Sequence, residues 1–128
     1  MILNIDVMRG LLRSVSERLP LPAELQREPS LDAHRKLLLE ANFAEGGAYS
    51  RDSHLVANKR PFRWEYSLWS LSTIGEQFLA MAANDDVWKC VMAGYEARDC
   101  EWSMAQLYAY LEAAFKESEE RKRTFAGV

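Results

Sequence analysis

Residues 30–47 read Ser30-Leu31-Asp32-Ala33-His34-Arg35-Lys36-Leu37-Leu38-Leu39-Glu40-Ala41-Asn42-Phe43-Ala44-Glu45-Gly46-Gly47. Leu31, His34, Leu37, Leu38 and Ala41 recur at helical spacing and make one stripe, with Asp32, Arg35, Lys36 and Glu40 mainly on the other side. Ser30 stands where a helix cap is expected, because its hydroxyl can accept from the exposed first-turn amides. Asn42 tolerates the left-handed backbone that ends helices, and Gly46-Gly47 read as the punctuation after it. The segment is therefore a helix with a defined stop.

Downstream, residues 48–71 change character. Tyr49, Leu55 and Val56, then Trp64, Tyr66, Leu68 and Trp69, supply the aromatic and β-branched content of strands, and alternation is clearest in Trp64-Glu65-Tyr66-Ser67-Leu68. Between them Ala57-Asn58-Lys59-Arg60-Pro61 is polar and carries a proline, which predicts a loop. The expected unit is a two-stranded hairpin with a long basic tip, and most of the cluster Phe62, Trp64, Tyr66 and Trp69 is expected in the core.

Upstream, Ile5, Met8, Leu11, Leu12, Val15 and Leu19 form a second helical stripe that starts after Asn4 or Asp6 and is stopped by Pro20 and Pro22. Residues 23–28 allow a short helical turn. After the hairpin, Thr73 and Glu76 have capping-box spacing, followed by Ile74, Phe78, Leu79 and Ala82 on one face. Asn84-Asp85-Asp86 can cap a further helix bearing Val87, Trp88, Val91, Met92 and Tyr95. A last helix begins near Ser103, with Gln106 at the box position and Met104, Leu107, Leu111, Ala114 and Phe115 as its stripe. Its charged tail, residues 117–123, is expected to fray.

The predicted class is α+β, mostly α with a small β-hairpin. Two helices running directly into a hairpin is the ending of a winged helix-turn-helix, here with extra C-terminal helices. Residues 1–99 form the expected winged-helix-like domain. Residues 100–128 form a C-terminal helix that either packs on it or mediates self-association as a homodimer.

The 128 residues suit one domain, and 48% apolar content with four Trp, five Tyr and five Phe can fill a core without staples. Cys90 and Cys100 have no nearby Cys or His to complete a zinc site, so free thiols and a cytoplasmic location are expected. No apolar run approaches the roughly 20 residues that span a bilayer, and the N-terminus lacks signal-peptide character, so no membrane partner is expected.

The net charge of −3 argues against coating nucleic acid by bulk attraction. Residues 1–64 nevertheless carry ten Lys/Arg against eight Asp/Glu, and residues 65–128 six against eleven. Arg51, Lys59, Arg60 and Arg63, with His54, gather in the hairpin tip opposed only by Asp52. The candidate nucleic-acid or partner-binding residues are these five together with Phe62 and, on the preceding helix, Arg35 and Lys36. A solvated loop is the plain alternative, since cations on turns and edges discourage strand pairing.

For catalysis the residues offer nothing. His34 and His54 lie on different elements without a nucleophile or carboxylate partner motif, and no glycine-rich phosphate loop occurs. Asp85-Asp86 read as helix-capping rather than metal-binding, and His34 as a hydrogen-bonded core or boundary residue. No cofactor, metal or enzyme activity is expected.

Three stretches resemble a family of bacterial and phage proteins, domain of unknown function 2513. Asp6-Val7-Met8-Arg9-Gly10-Leu11-Leu12 is similar to its opening Asp-Leu-x-Arg-x-Leu-Leu. His34-Arg35-Lys36-Leu37-Leu38-Leu39-Glu40-Ala41 is similar to its His-x-x-Leu-Leu-x-x-Ala. The ungapped run from Leu71 to Trp88 matches its Leu-Thr-x-x-Gly-x-x-Phe-Leu…Asp-x-x-Trp pattern at Leu71, Gly75, Phe78, Leu79, Asp85 and Trp88. Asn42 stands in place of the usual Gly, and Glu76 and Ala83 where His and Arg are common. The resemblance implies a winged-helix-like module often encoded by mobile elements, and supplies no catalytic residues. The function expected from residues and resemblance together is a non-enzymatic, DNA-binding transcriptional regulator of a phage or mobile element. The alternative is a protein-binding inhibitor or adaptor aimed at a host or defence protein.

Overall fold

The computed structural model describes residues 3–50 and 64–126. Its elements run α1 (Ile5–Glu17), α2 (Ala23–Gln26), α3 (Leu31–Glu40), β1 (Ala44–Ser50), β2 (Trp64–Leu71), α4 (Thr73–Ala82), α5 (Asp85–Glu96) and α6 (Met104–Ala126). The mostly helical chain with one antiparallel hairpin is the α+β class that the sequence predicts.

The starts of α1, α4, α5 and α6 each follow from a short polar side chain. Asn4 accepts from the Asp6 and Val7 amides, and Asn84 does the same for Asp86 and Val87. Ser103 and Gln106 form a reciprocal box at 2.8 and 3.2 Å before α6. Two expectations shift here. The α4 cap is Ser72, whose Oγ accepts from the Gly75 amide, rather than the Thr73–Glu76 box. Ile74 is then turned outward and is exposed. Ser30 holds the N-cap position of α3 but makes no cap bond, because its hydroxyl donates to Glu28 at 2.9 Å.

Helix ends use the left-handed conformation at Arg18 and Asn42, the second as expected. The first leaves Leu19 past the end of α1, half out of the core that its spacing suggests. The charged run 117–123 lies within α6, where Glu117–Arg121 and Glu119–Lys122 are paired along the helix.

The hairpin begins earlier than its sequence suggests. Gly46 and Gly47 are strand residues, not punctuation. A Cβ at Gly46 would overlap the Ser67 carbonyl, so the close approach of β2 requires glycine there. Leu55 and Val56 lie outside the described residues.

One core collects the apolar stripes. Ile5, Met8, Leu11 and Leu12 from α1, Leu31 and Leu38 from α3, Phe78 and Ala82 from α4, Val87, Trp88 and Val91 from α5, and Met104, Leu107 and Leu111 from α6 are all buried in it. Phe43, just after α3, packs on Phe78 and Tyr108 with ring centroids 5.6 and 6.0 Å apart. No helix among the described residues is long and apolar enough to cross a membrane.

Candidate binding surface

His34 is fully buried, and both ring nitrogens are engaged: Nδ1 meets the Ser30 carbonyl at 2.8 Å and Nε2 accepts from the Asn4 amide at 2.9 Å. A neutral ring with its proton on Nδ1 satisfies both. The histidine therefore ties the start of α1 to α3, as the hydrogen-bonded core reading expects.

Residues of the stretches 6–12 and 71–88 meet one another in the same manner. The Trp88 indole donates to Asp6 at 3.2 Å, while Arg9 lies over the Trp88 ring at 5.0 Å and pairs with Asp85 at 3.3 Å. These four residues clamp α1 to α5. Asp85 is largely exposed and Arg9 mostly covered, so the clamp holds helices together rather than framing a cavity.

On α3, Arg35 faces Asp32 at 3.9 Å and Lys36 faces Glu40 at 3.8 Å. The helix therefore presents alternating charge in place of a cationic stripe. Asp32 has a second task, accepting the Tyr66 backbone amide at 3.0 Å and so capping the outer edge of β2. Arg51, His54, Lys59, Arg60, Phe62 and Arg63 lie outside the described residues. The segment that holds them joins the paired strand ends Ser50 and Trp64.

The outward face of the hairpin is where the structure departs most from expectation. Glu45 pairs with Ser70 and Gly46 with Leu68, which leaves Trp69 as an extra residue in β2. The bulge resets the alternation. Leu68 and Leu71 both pack against the core, and Trp69, expected inside, is 72% exposed. Its ring lies across Gly47, where a Cβ would sit 3.2 Å from Cζ2. Directly paired residues share a face, so Glu45, Ser70, Gly47 and Ser67 surround this indole. The spacing of Leu68 and Leu71, three apart, is the signal in sequence that a bulge interrupts the strand.

The chemistry elsewhere is sparse. A cleft of about 440 Å³ between the end of α3 and the start of α6 is lined mainly by Leu3, Leu37, Ala41, Trp102 and Met104. Its one hydroxyl, on Ser103, is occupied in the α6 cap. Beside it Tyr95 donates to the Leu3 carbonyl, and burial pushes its phenol above the ordinary value, with Arg98 opposing and Glu101 adding to the shift. Among the described residues no three His, Cys, Asp or Glu side chains are placed to hold a metal ion, and Cys90 and Cys100 are both free and exposed. Comparison with protein-family models, curated proteins and solved structures finds no match.

Proposed function

We propose that this chain is a non-enzymatic binding module of winged-helix type whose partner is a protein, met on the outer face of the β1–β2 hairpin. The observation that carries this reading is Trp69, a large indole left 72% exposed on a bulge and backed by glycine. Such a ring contributes a large area to an interface and is a frequent energetic anchor of one. The bulge aims it outward, and bulges commonly re-aim a side chain in this manner. The likeness to the family of unknown function implies a small winged-helix-like module and supplies no catalytic residues.

The experiment is capture by the immobilised chain from a nuclease-treated extract of the cells that produce it, with mass spectrometry as readout. A partner retained by the parent and lost by a Trp69→Ser variant of unchanged melting temperature is the expected result. Equal retention by both would overturn the reading.

A second reading, contact with DNA, is favoured by one specific observation. Arg51, Lys59, Arg60 and Arg63 are four of the sixteen Lys/Arg of the chain, held within thirteen residues between the strand ends. Cations placed there would meet phosphates, with Arg35 and Lys36 adding to them once displaced from weak surface pairs. Duplex binding that weakens steeply with salt is its signature.

A further inference from the structure

The Tyr66 amide is given to Asp32 on α3, so it points away from β1. In an antiparallel ladder this marks Ala48 and Tyr66 as a pair that exchanges no bonds, and the alternation assigns Gly46 and Leu68 the same state. The amides and carbonyls of Gly46 and Ala48 therefore project from the outer edge of β1. Among the described residues nothing bonds to them. The two edges of the hairpin are thus treated differently among the described residues: β2 is capped by Asp32, and β1 is open. The open strand also lacks the usual guards, with no Lys, no Pro and Glu45 as its one charge.

A row of outward backbone donors and acceptors is complementary to one kind of occupant, another extended strand. We propose that the occupant is β1 of a second copy of this chain, paired antiparallel about a two-fold axis through Gly47. This rests on the reading of the Trp69 face as a protein contact and names its partner. The edge is symmetric about that residue. Gly46 pairs with the partner's Ala48 and Ala48 with the partner's Gly46, each pair exchanging two bonds, so four backbone hydrogen bonds form. Gly47 meets the partner's Gly47 as the pair without bonds, where strands approach most closely and side chains crowd most. Glycine removes that crowding. Glu45 falls opposite position 49 of the other strand, so the two carboxylates do not oppose each other. The indole of Trp69 already reaches over Gly47 with Cζ2 and Cη2, so the two rings converge above the glycine pair and cover each other. One arrangement accounts for the open edge, the paired glycines and the exposed tryptophan.

Sedimentation or light scattering across a concentration series, combined with amide hydrogen exchange on the whole chain, tests this. The expected mass rises from 14.7 kDa toward twice that value. Exchange at Gly46 and Ala48 slows as the mass rises, whereas the Gly47 amide, held inside the hairpin, is slow throughout. Ala48→Pro removes an edge donor that the hairpin itself does not use. It should weaken the dimer about tenfold or more while leaving the circular dichroism unchanged. If that variant does not fold, Trp69→Ser serves in its place. A mass that stays at one chain up to about 1 mM overturns the proposal, since weaker pairing is not specific association. A dimer in which Gly46 and Ala48 still exchange freely overturns it too. A monomer whose Trp69→Ser variant loses capture of a different protein overturns the pairing and leaves the protein-contact reading standing. A dimer indifferent to Trp69 and to Ala48 overturns the pairing, and if Trp69→Ser also captures the same proteins as the parent, the protein-contact reading falls with it.

Discussion

Trp88 donates its indole proton to Asp6, 82 positions away, and so fixes the first turn of α1 against the first turn of α5. Phe78 packs edge-on against the same indole at 6.2 Å. Both residues are buried, so Trp88→Ala or Phe78→Ala is expected to cost about 3–5 kcal/mol in urea unfolding. Trp88→Phe keeps most of the ring and loses the bond, which should cost distinctly less. A Trp88→Ala variant melting within a few degrees of the parent would contradict the clamp.

His34 allows a finer dissection, because its two nitrogens serve different partners. His34→Ala leaves the Asn4 amide unpaired beside a new cavity, while the Ser30 carbonyl keeps only the backbone amide of residue 34, and should cost about 3 kcal/mol or more. An Asn amide can reproduce the Nδ1 donor and a Gln carbonyl the Nε2 acceptor. Each is therefore expected to fall between parent and Ala in urea midpoint. Equal loss in all three variants would show that packing, and not the bonds, holds the site.

Gly75 sits where α4 passes Phe43. A Cβ there would overlap the Phe43 carbonyl oxygen, a backbone atom that cannot rotate aside. The same residue gives its amide to Ser72, whose hydroxyl donates to the Asn42 carbonyl at 2.5 Å. Gly75→Ala should therefore destabilise by about 1–3 kcal/mol despite the better helix propensity of alanine. A stabilised Gly75→Ala protein would refute the close approach.

Much of this framework is legible in the sequence because helices announce themselves locally. Asn4, Asn84 and the Ser103–Gln106 box mark their helices by residue type and spacing alone, and the stripes of α1, α3 and α5 fall on the buried sides. The hairpin is less legible for a physical reason. Strand phase has period two, so a single bulge inverts everything beyond it, and the bulge depends on pairing across twenty or more residues. Trp69 therefore reads as core and emerges exposed, while Gly46-Gly47 read as a stop and are strand. The candidate site divides along the same line. Arg35 and Lys36 are visible as cations on a helix face, but their carboxylate neighbours and the capping of Tyr66 by Asp32 appear only in three dimensions.

Tyr95 gives the chain a response to alkali. Its phenol is raised above the ordinary value of about 10 in the folded protein, chiefly by burial, so folding holds that proton more tightly than the unfolded chain does. The stabilisation is fully present below the unfolded value and is lost as pH rises through the folded one. Urea midpoints are expected to be flat in this respect up to about pH 9 and to fall above about pH 10. Tyr95→Phe should be less stable near neutrality, having lost the bond to the Leu3 carbonyl, but should show a shallower alkaline decline. Parallel declines in the two proteins would assign the effect to other groups.

The last expectation separates the two partner classes through the basic segment. Lys59, Arg60 and Arg63 stand within five positions around Pro61, in a stretch whose composition is polar and whose ends are the paired residues Ser50 and Trp64. Each cation that meets a phosphate releases a counterion on binding. If DNA is the partner, Lys59→Ala, Arg60→Ala, Arg63→Ala together should lower the slope of log affinity against log salt by about two to three units. The polar composition of the stretch predicts solvent-facing charges, so folding stability is expected to move by no more than about 0.5 kcal/mol per change. If the partner is a protein, the triple variant should slow association through lost long-range attraction and leave dissociation nearly unchanged, whereas Trp69→Ser should do the reverse. A folded triple variant that loses neither kind of binding would remove segment 51–63 from the functional surface and leave the Trp69 face alone to account for it.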